Sequence, residues 1–136
     1  MNDFIASVGG VDDFLAYFLM SAALVAVFLT VYMWVTPYRE LALIRQGNVA
    51  ASISLSGALL GFVIPLASAI AHSVAWWDML LWGAVALVVQ LASYFLVRAM
   101  VPTLAKDIPD GKVAQGVFLG ATSLAIGILN AASMTY

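Results

Sequence analysis

A chain of 136 residues with 65% hydrophobic and only 9% charged side chains cannot cover a water-soluble particle, since soluble domains carry roughly 25% charged residues. The net charge of −2, without basic runs or interleaved aromatic-basic patches, excludes the usual footprint of nucleic-acid binding. The lack of cysteine excludes disulfides and thiolate chemistry, and a single histidine excludes a multi-histidine metal cluster.

The opening segment, residues 1–13, carries Asp3, Asp12 and Asp13 and no base, the reverse of a cleavable signal's positive start. It is expected to be retained, on the outer side of a membrane. A first span is predicted from Phe14 to Thr36, ended by Pro37. The link from Pro37 to Asn48 holds Arg39, Glu40 and Arg45, read as a solvated polar patch and a candidate cytoplasmic contact surface. A second span runs from Val49 to Ala71. Residues 72–76 form a short link that brings Trp76 and Trp77 to headgroup level. The third span, Trp77 to Met100, stops before Pro102. The next link contains Lys106, Asp107 and Lys112, with Pro109-Asp110-Gly111 as turn chemistry. The fourth span runs from Val113 to Met134. Each run is long enough for a hydrocarbon core of ~30 Å, and none shows the alternation of barrel strands.

Charge sets the expected orientation. All five basic residues (Arg39, Arg45, Arg98, Lys106, Lys112) fall on the side shared by the first and third links. Asp3, Asp12, Asp13 and Asp78 fall on the other. The positive-inside rule makes the basic side cytoplasmic and both termini periplasmic.

The two halves resemble each other. Gly47-Asn48-Val49-Ala50 lies over Gly111-Lys112-Val113-Ala114, and at the same offset Leu55 meets Leu119 and Ile64 meets Ile128. With one gap Pro37 meets Pro102. The predicted fold is therefore an all-α integral membrane protein of four transmembrane helices, arranged as two parallel two-helix repeats, 14–71 and 77–136. Both repeats start on the same side, unlike the inverted repeats of many transporters.

The second helix of each repeat carries small residues four apart, which share a face and let backbones approach. Gly57 and Gly61 form one such pair, Gly116 and Gly120 another. In the repeat alignment Ser52 and Ser56 oppose Gly116 and Gly120, while Gly57 and Gly61 oppose Ala121 and Ala125. Each helix thus has two narrow stripes, enough for two neighbours within the chain or between chains.

Polar residues within the spans need partners or water. Gln90 is placed to face another helix or to line a path. Pro65 frees the carbonyl of Gly61, and with Ser68 and Asn130 at similar depth it offers a candidate polar cluster with Gln90. Arg98 is expected to snorkel to the headgroups. No charge sits mid-span, which argues against an ion-coupled carrier. Zinc-protease, nucleophile-elbow and phosphate-loop motifs are missing, so no catalytic residue, metal or cofactor is expected and the chain is not read as an enzyme.

The stretch from Asn48 to Ala69, the stretch from Ala114 to Thr135, and Thr36-Pro37 resemble the YjfL-like family of bacterial inner-membrane proteins, the domain of unknown function numbered 350. The Pro65-Leu66-Ala67-Ser68-Ala69 and Asn130-Ala131-Ala132 endings are the most specific part. The resemblance implies a multi-pass protein of the bacterial inner membrane built of paired two-helix units, with no established activity. Through the gene neighbours of such proteins it also implies a place in the response to envelope stress. The leading expectation is a non-enzymatic component of a membrane or envelope-stress assembly, in contact with lipid, with copies of itself or with envelope-stress membrane proteins. The alternative is a small channel or transporter subunit with a polar path between its helices.

Overall fold

The computed structural model describes residues 2–135, with side chains over 9–135. Met1 and Tyr136, the outermost residues of the expected first and last segments, lie outside the described residues. Six helices follow in chain order: α1 (Asn2–Val35), α2 (Glu40–Arg45), α3 (Val49–His72), α4 (Trp76–Met100), α5 (Leu104–Asp107) and α6 (Val113–Ser133). Four of them are long and apolar enough to cross a membrane, over Gly9–Val35, Val49–His72, Trp76–Met100 and Val113–Ser133. The described residues contain no strand.

Three of the four spans match their expected limits closely, and the first does not. The helix of α1 starts at Asn2, so most of the acidic segment 1–13 is helical rather than a separate tail. No proline interrupts that stretch, and the Gly9-Gly10 pair lowers helix propensity without ending the helix. At 34 residues α1 is about 51 Å long, well beyond the ~30 Å of hydrocarbon.

Prolines set the other ends of α1 and α4. The last helical bonds run from Thr36 N–H to Tyr32 and from Val101 N–H to Val97, and each donor immediately precedes a proline. The residue before proline is pushed out of the helical region, so the chain turns there. Each turn leads into a short helix closed by a glycine in the left-handed region, Gly47 (φ 83°) and Gly111 (φ 78°). The two links repeat the same backbone bonds. Gly47 N–H donates to Ile44 as Gly111 does to Ile108, and Asn48 N–H donates to Leu43 as Lys112 does to Asp107. Asn48 then caps α3, its Oδ1 accepting from Ala51 N–H at 2.9 Å. Its amide reaches across to the carbonyls of Ile108 (3.0 Å) and Pro109 (3.2 Å), tying the two links together at one end of the bundle.

The core of the bundle is the pair α3 and α6, which run parallel. A Cβ on Gly116 would stand 2.6 Å from the Ala50 backbone, one on Gly57 would strike the Gly120 backbone, and one on Gly127 would strike the Gly61 carbonyl. Residue numbers rise together along both helices, so this is one continuous backbone-to-backbone seam. With no hydrophobic force between helices in lipid, such contact supplies the dispersion and weak Cα–H···O interactions that hold them. Pro65, buried within α3, cannot donate to the Gly61 carbonyl, and Gly127 of α6 approaches that freed oxygen.

The helix α4 covers one side of this pair, and α1 lies against α3 and α4. The rings of Phe28 and Phe62 stack at 4.4 Å between α1 and α3. Tyr32 meets Tyr94 edge-on at 6.1 Å between α1 and α4. The other half of α1 stands away from α3. Tyr17, Ser21 and Val25 of α1, with Val63, Leu66 and Ile70 of α3, line an apolar groove of about 700 Å³.

Leucine at Gly120 has to enter the backbone of Ile53. We expect Gly120→Leu to destabilise the bundle by at least ~2 kcal/mol, the scale of overpacking. Thermal unfolding in detergent checks this, with Gly9→Leu, at an open position, as the unchanged control.

Candidate functional site

Polar side chains gather at two levels inside the bundle. The first is mid-bundle, against the seam. Gln90 is fully buried on α4, and its amide donates to the Ser123 carbonyl of α6 at 3.0 Å. Ser93, one turn along α4, places its hydroxyl 3.5 Å from that of Ser123. Gly61 makes room for this contact, since a side chain there would stand 2.6 Å from the Gln90 amide nitrogen. The Gln90 Oε1 is buried without a partner.

The expected polar cluster is only partly assembled. Gln90 is inside and bonded to Ser123, which the sequence reading did not single out. Pro65 is buried and Ser68 half-buried on α3. Asn130 lies about two turns farther along α6 than Ser123, half-buried, with its Nδ2 unpartnered. The small residues divide as well. Gly57, Gly61, Gly116 and Gly120 all enter the α3–α6 seam, joined by Gly127, whose role had no matching small residue four before it other than Ser123. Ser52 is half-buried and Ser56 exposed, on a different face of α3. Ala121 and Ala125 are exposed on α6.

The second level lies at the end that carries the five basic residues. Here the expected solvated patch needs correction. Arg39 and Arg45 are exposed, but Glu40 is 1% exposed. The turn at Pro37 folds α2 onto α3, so its first residue points inward while the arginines flanking it stay in water. The Thr36 hydroxyl donates to Glu40 Oε1 at 2.6 Å, and Oε2 has no partner. The Tyr32 hydroxyl is also buried and unpartnered, and the buried Tyr94 hydroxyl has the Arg98 side chain beside it. Burial pushes the Glu40 carboxyl above the usual carboxylate range, with the Thr36 bond opposing it. Burial likewise raises the Tyr38 phenol, helped by Tyr32, Tyr94 and Glu40.

The second link has a counterpart with the opposite electrostatics. Thr103 donates to Asp107 Oδ2 at 2.7 Å, and Lys112 Nζ lies 3.3 Å from Oδ1. The Thr103 hydroxyl bond comes first, and Lys112 adds to it, in holding Asp107 below its ordinary value. Asp107 has a cation; among the described residues no ion pair reaches Glu40. At the opposite end of α3, His72 is exposed and its Nδ1 lies 2.9 Å from the Ser68 carbonyl.

This helical, glycine-seamed membrane bundle matches the family model described as Domain of Unknown Function (DUF350) over residues 3–134. The chain belongs to the DUF350 family. It is 46% identical to the UPF0719 inner membrane protein YjfL of Escherichia coli K12 over 123 residues, 90% of this chain and 93% of the relative. The YjfL protein of Escherichia coli O157:H7 matches to the same extent. The UPF0719 transmembrane protein YshE of Bacillus subtilis is 28% identical over 125 residues, 88% of this chain and 90% of the relative. No solved structure matches this chain. This DUF350 member is a multi-pass protein of the bacterial inner membrane, with its four apolar helices in contact with lipid.

Proposed function

We propose that this protein is a non-enzymatic building block of a membrane assembly, formed first of all with copies of itself, and that envelope-stress proteins are its membrane partners. The observation that carries this reading is the unequal use of the small-residue stripes. The seam joins the Gly57/Gly61 stripe of α3 to the Gly116/Gly120 stripe of α6. In the repeat alignment these are not equivalent stripes. Their equivalents, Ser52/Ser56 on α3 and Ala121/Ala125 on α6, are left toward the outside. An interface between unlike surfaces leaves its complementary halves open and can be repeated from copy to copy until a ring closes. The matched backbone bonds of the two links support the duplication behind this argument. On this reading the repeats are parallel, both termini are periplasmic, and the basic links face the cytoplasm.

Mass measurement after purification in mild detergent tests the assembly. We expect a discrete oligomer or a stable co-purifying membrane protein, and Ala121→Leu to dissociate it without lowering thermal stability. A clean monomer without partners contradicts the reading.

The second reading, a subunit with a polar path, is favoured by the unpartnered Gln90 Oε1 and Asn130 Nδ2 inside the bundle. It ranks lower because the α3–α6 backbones close against each other beside Gln90. If a path passes Gln90, Gln90→Leu abolishes ion flux in liposomes and leaves the assembly intact. Wild-type liposomes that are no leakier than empty ones exclude it.

A further inference from the structure

Two buried oxygens at the basic end lack any partner, Glu40 Oε2 and Tyr32 Oη, and a third, Tyr94 Oη, has only the Arg98 side chain beside it. They come from three elements, α2, α1 and α4, and they are close enough to act on one another electrostatically. A buried polar atom without a partner is costly, so a native bundle with Glu40 Oε2 and Tyr32 Oη in one cluster has something to satisfy them. We propose that Glu40 is a buried proton-binding site, which takes up and releases a proton from the water at the basic end, with the phenols of Tyr32 and Tyr94 as its hydrogen-bonding partners through a bound water.

The chemistry suits a proton. One carboxyl oxygen is already held by Thr36 at 2.6 Å, which fixes the group and points the other into the cluster. A phenol both donates and accepts, and so does water, so the same atoms serve the neutral and the ionised carboxyl. Among the described residues no ion pair neutralises a charge on Glu40 itself. Arg39 and Arg45 are exposed beside α2, and Arg98 is exposed on α4, where its charge acts on Tyr94. Tyr38, the remaining titratable neighbour, is itself buried. The helix α3, on which α2 packs, carries only His72 as an ionisable group, at its far end. Burial in these surroundings favours the neutral carboxyl. The contrast with Asp107, which has Lys112, shows that the fold supplies a cation where it holds the charged form.

The proton is linked to stability with a definite sign. Below the ordinary carboxylate range folded and unfolded chains both hold the proton. Above it the unfolded chain ionises first, so stability falls as pH rises, until Glu40 itself ionises at its raised value. The pH at the basic end would thereby bias how firmly α2 stays on α3.

Glu40 is the only glutamate in the chain, so it can be observed alone. The experiment is carbon-13 NMR of full-length protein labelled at the glutamate carboxyl, titrated in lipid nanodiscs. We expect a single resonance that ionises above the ordinary carboxylate range, with a midpoint moved further upward in Tyr32→Phe and Tyr94→Phe. A midpoint within or below the ordinary carboxylate range overturns the proposal. So does a midpoint unmoved in both phenylalanine variants, which removes the phenols as partners. Sodium or potassium chloride added at fixed pH is the remaining arm: an unchanged resonance supports a proton site, and displacement of the proton by either cation assigns a metal-ion site instead.

Discussion

The contact on which the rest of this structure depends is the backbone-to-backbone seam between α3 and α6. In lipid, apolar side chains gain nothing by leaving their surroundings for one another, so helices stay together through close packing and polar bonds. Glycines at 57, 61, 116, 120 and 127 allow that packing along most of the length of both helices. The seam also sets Ser123 against Gly61 and so places the carbonyl that receives Gln90. The position of α4 follows from that bond and from the Ser93–Ser123 approach. The position of α1 follows in turn from α4 and α3, through Tyr94 and Phe62.

The links at the basic end work as the second constraint. A proline stops each incoming helix, a glycine closes each short helix, and Asn48 ties one link to the other. This holds the starts of α3 and α6 side by side, where the seam begins. The same turns decide the electrostatics. One leaves Asp107 beside Lys112, and the other drives Glu40 inward, where Thr36 bonds its carboxyl and, among the described residues, no ion pair reaches it.

Much of this was legible in the residues. Continuous apolar runs bounded by Pro37 and Pro102 marked the spans, since neither property depends on tertiary context. The glycine pairs marked the packing faces because only glycine permits such approach. What could not be read was which face meets which. Each of α3 and α6 offered two stripes, and the pairing of Gly57 with Gly120 rather than with an equivalent position is a matter of how whole helices cross. Glu40 was illegible for a related reason. Between Arg39 and a polar loop it looks solvated, and its burial depends on the direction in which α2 leaves Pro37. Gly127 and Ser123 gained their roles only once the seam was in register.

The dependence of α4 on the seam can be measured in the membrane. The chain has no cysteine, so Ser93→Cys with Ser123→Cys introduces a single oxidisable pair where the hydroxyls stand 3.5 Å apart. Mild oxidation followed by thiol-directed mass tagging reads the disulfide within one chain. The account predicts efficient formation in the native background and its loss when Gly57→Leu is added to break the seam. No disulfide in the native background, or equal formation with Gly57→Leu, would contradict it.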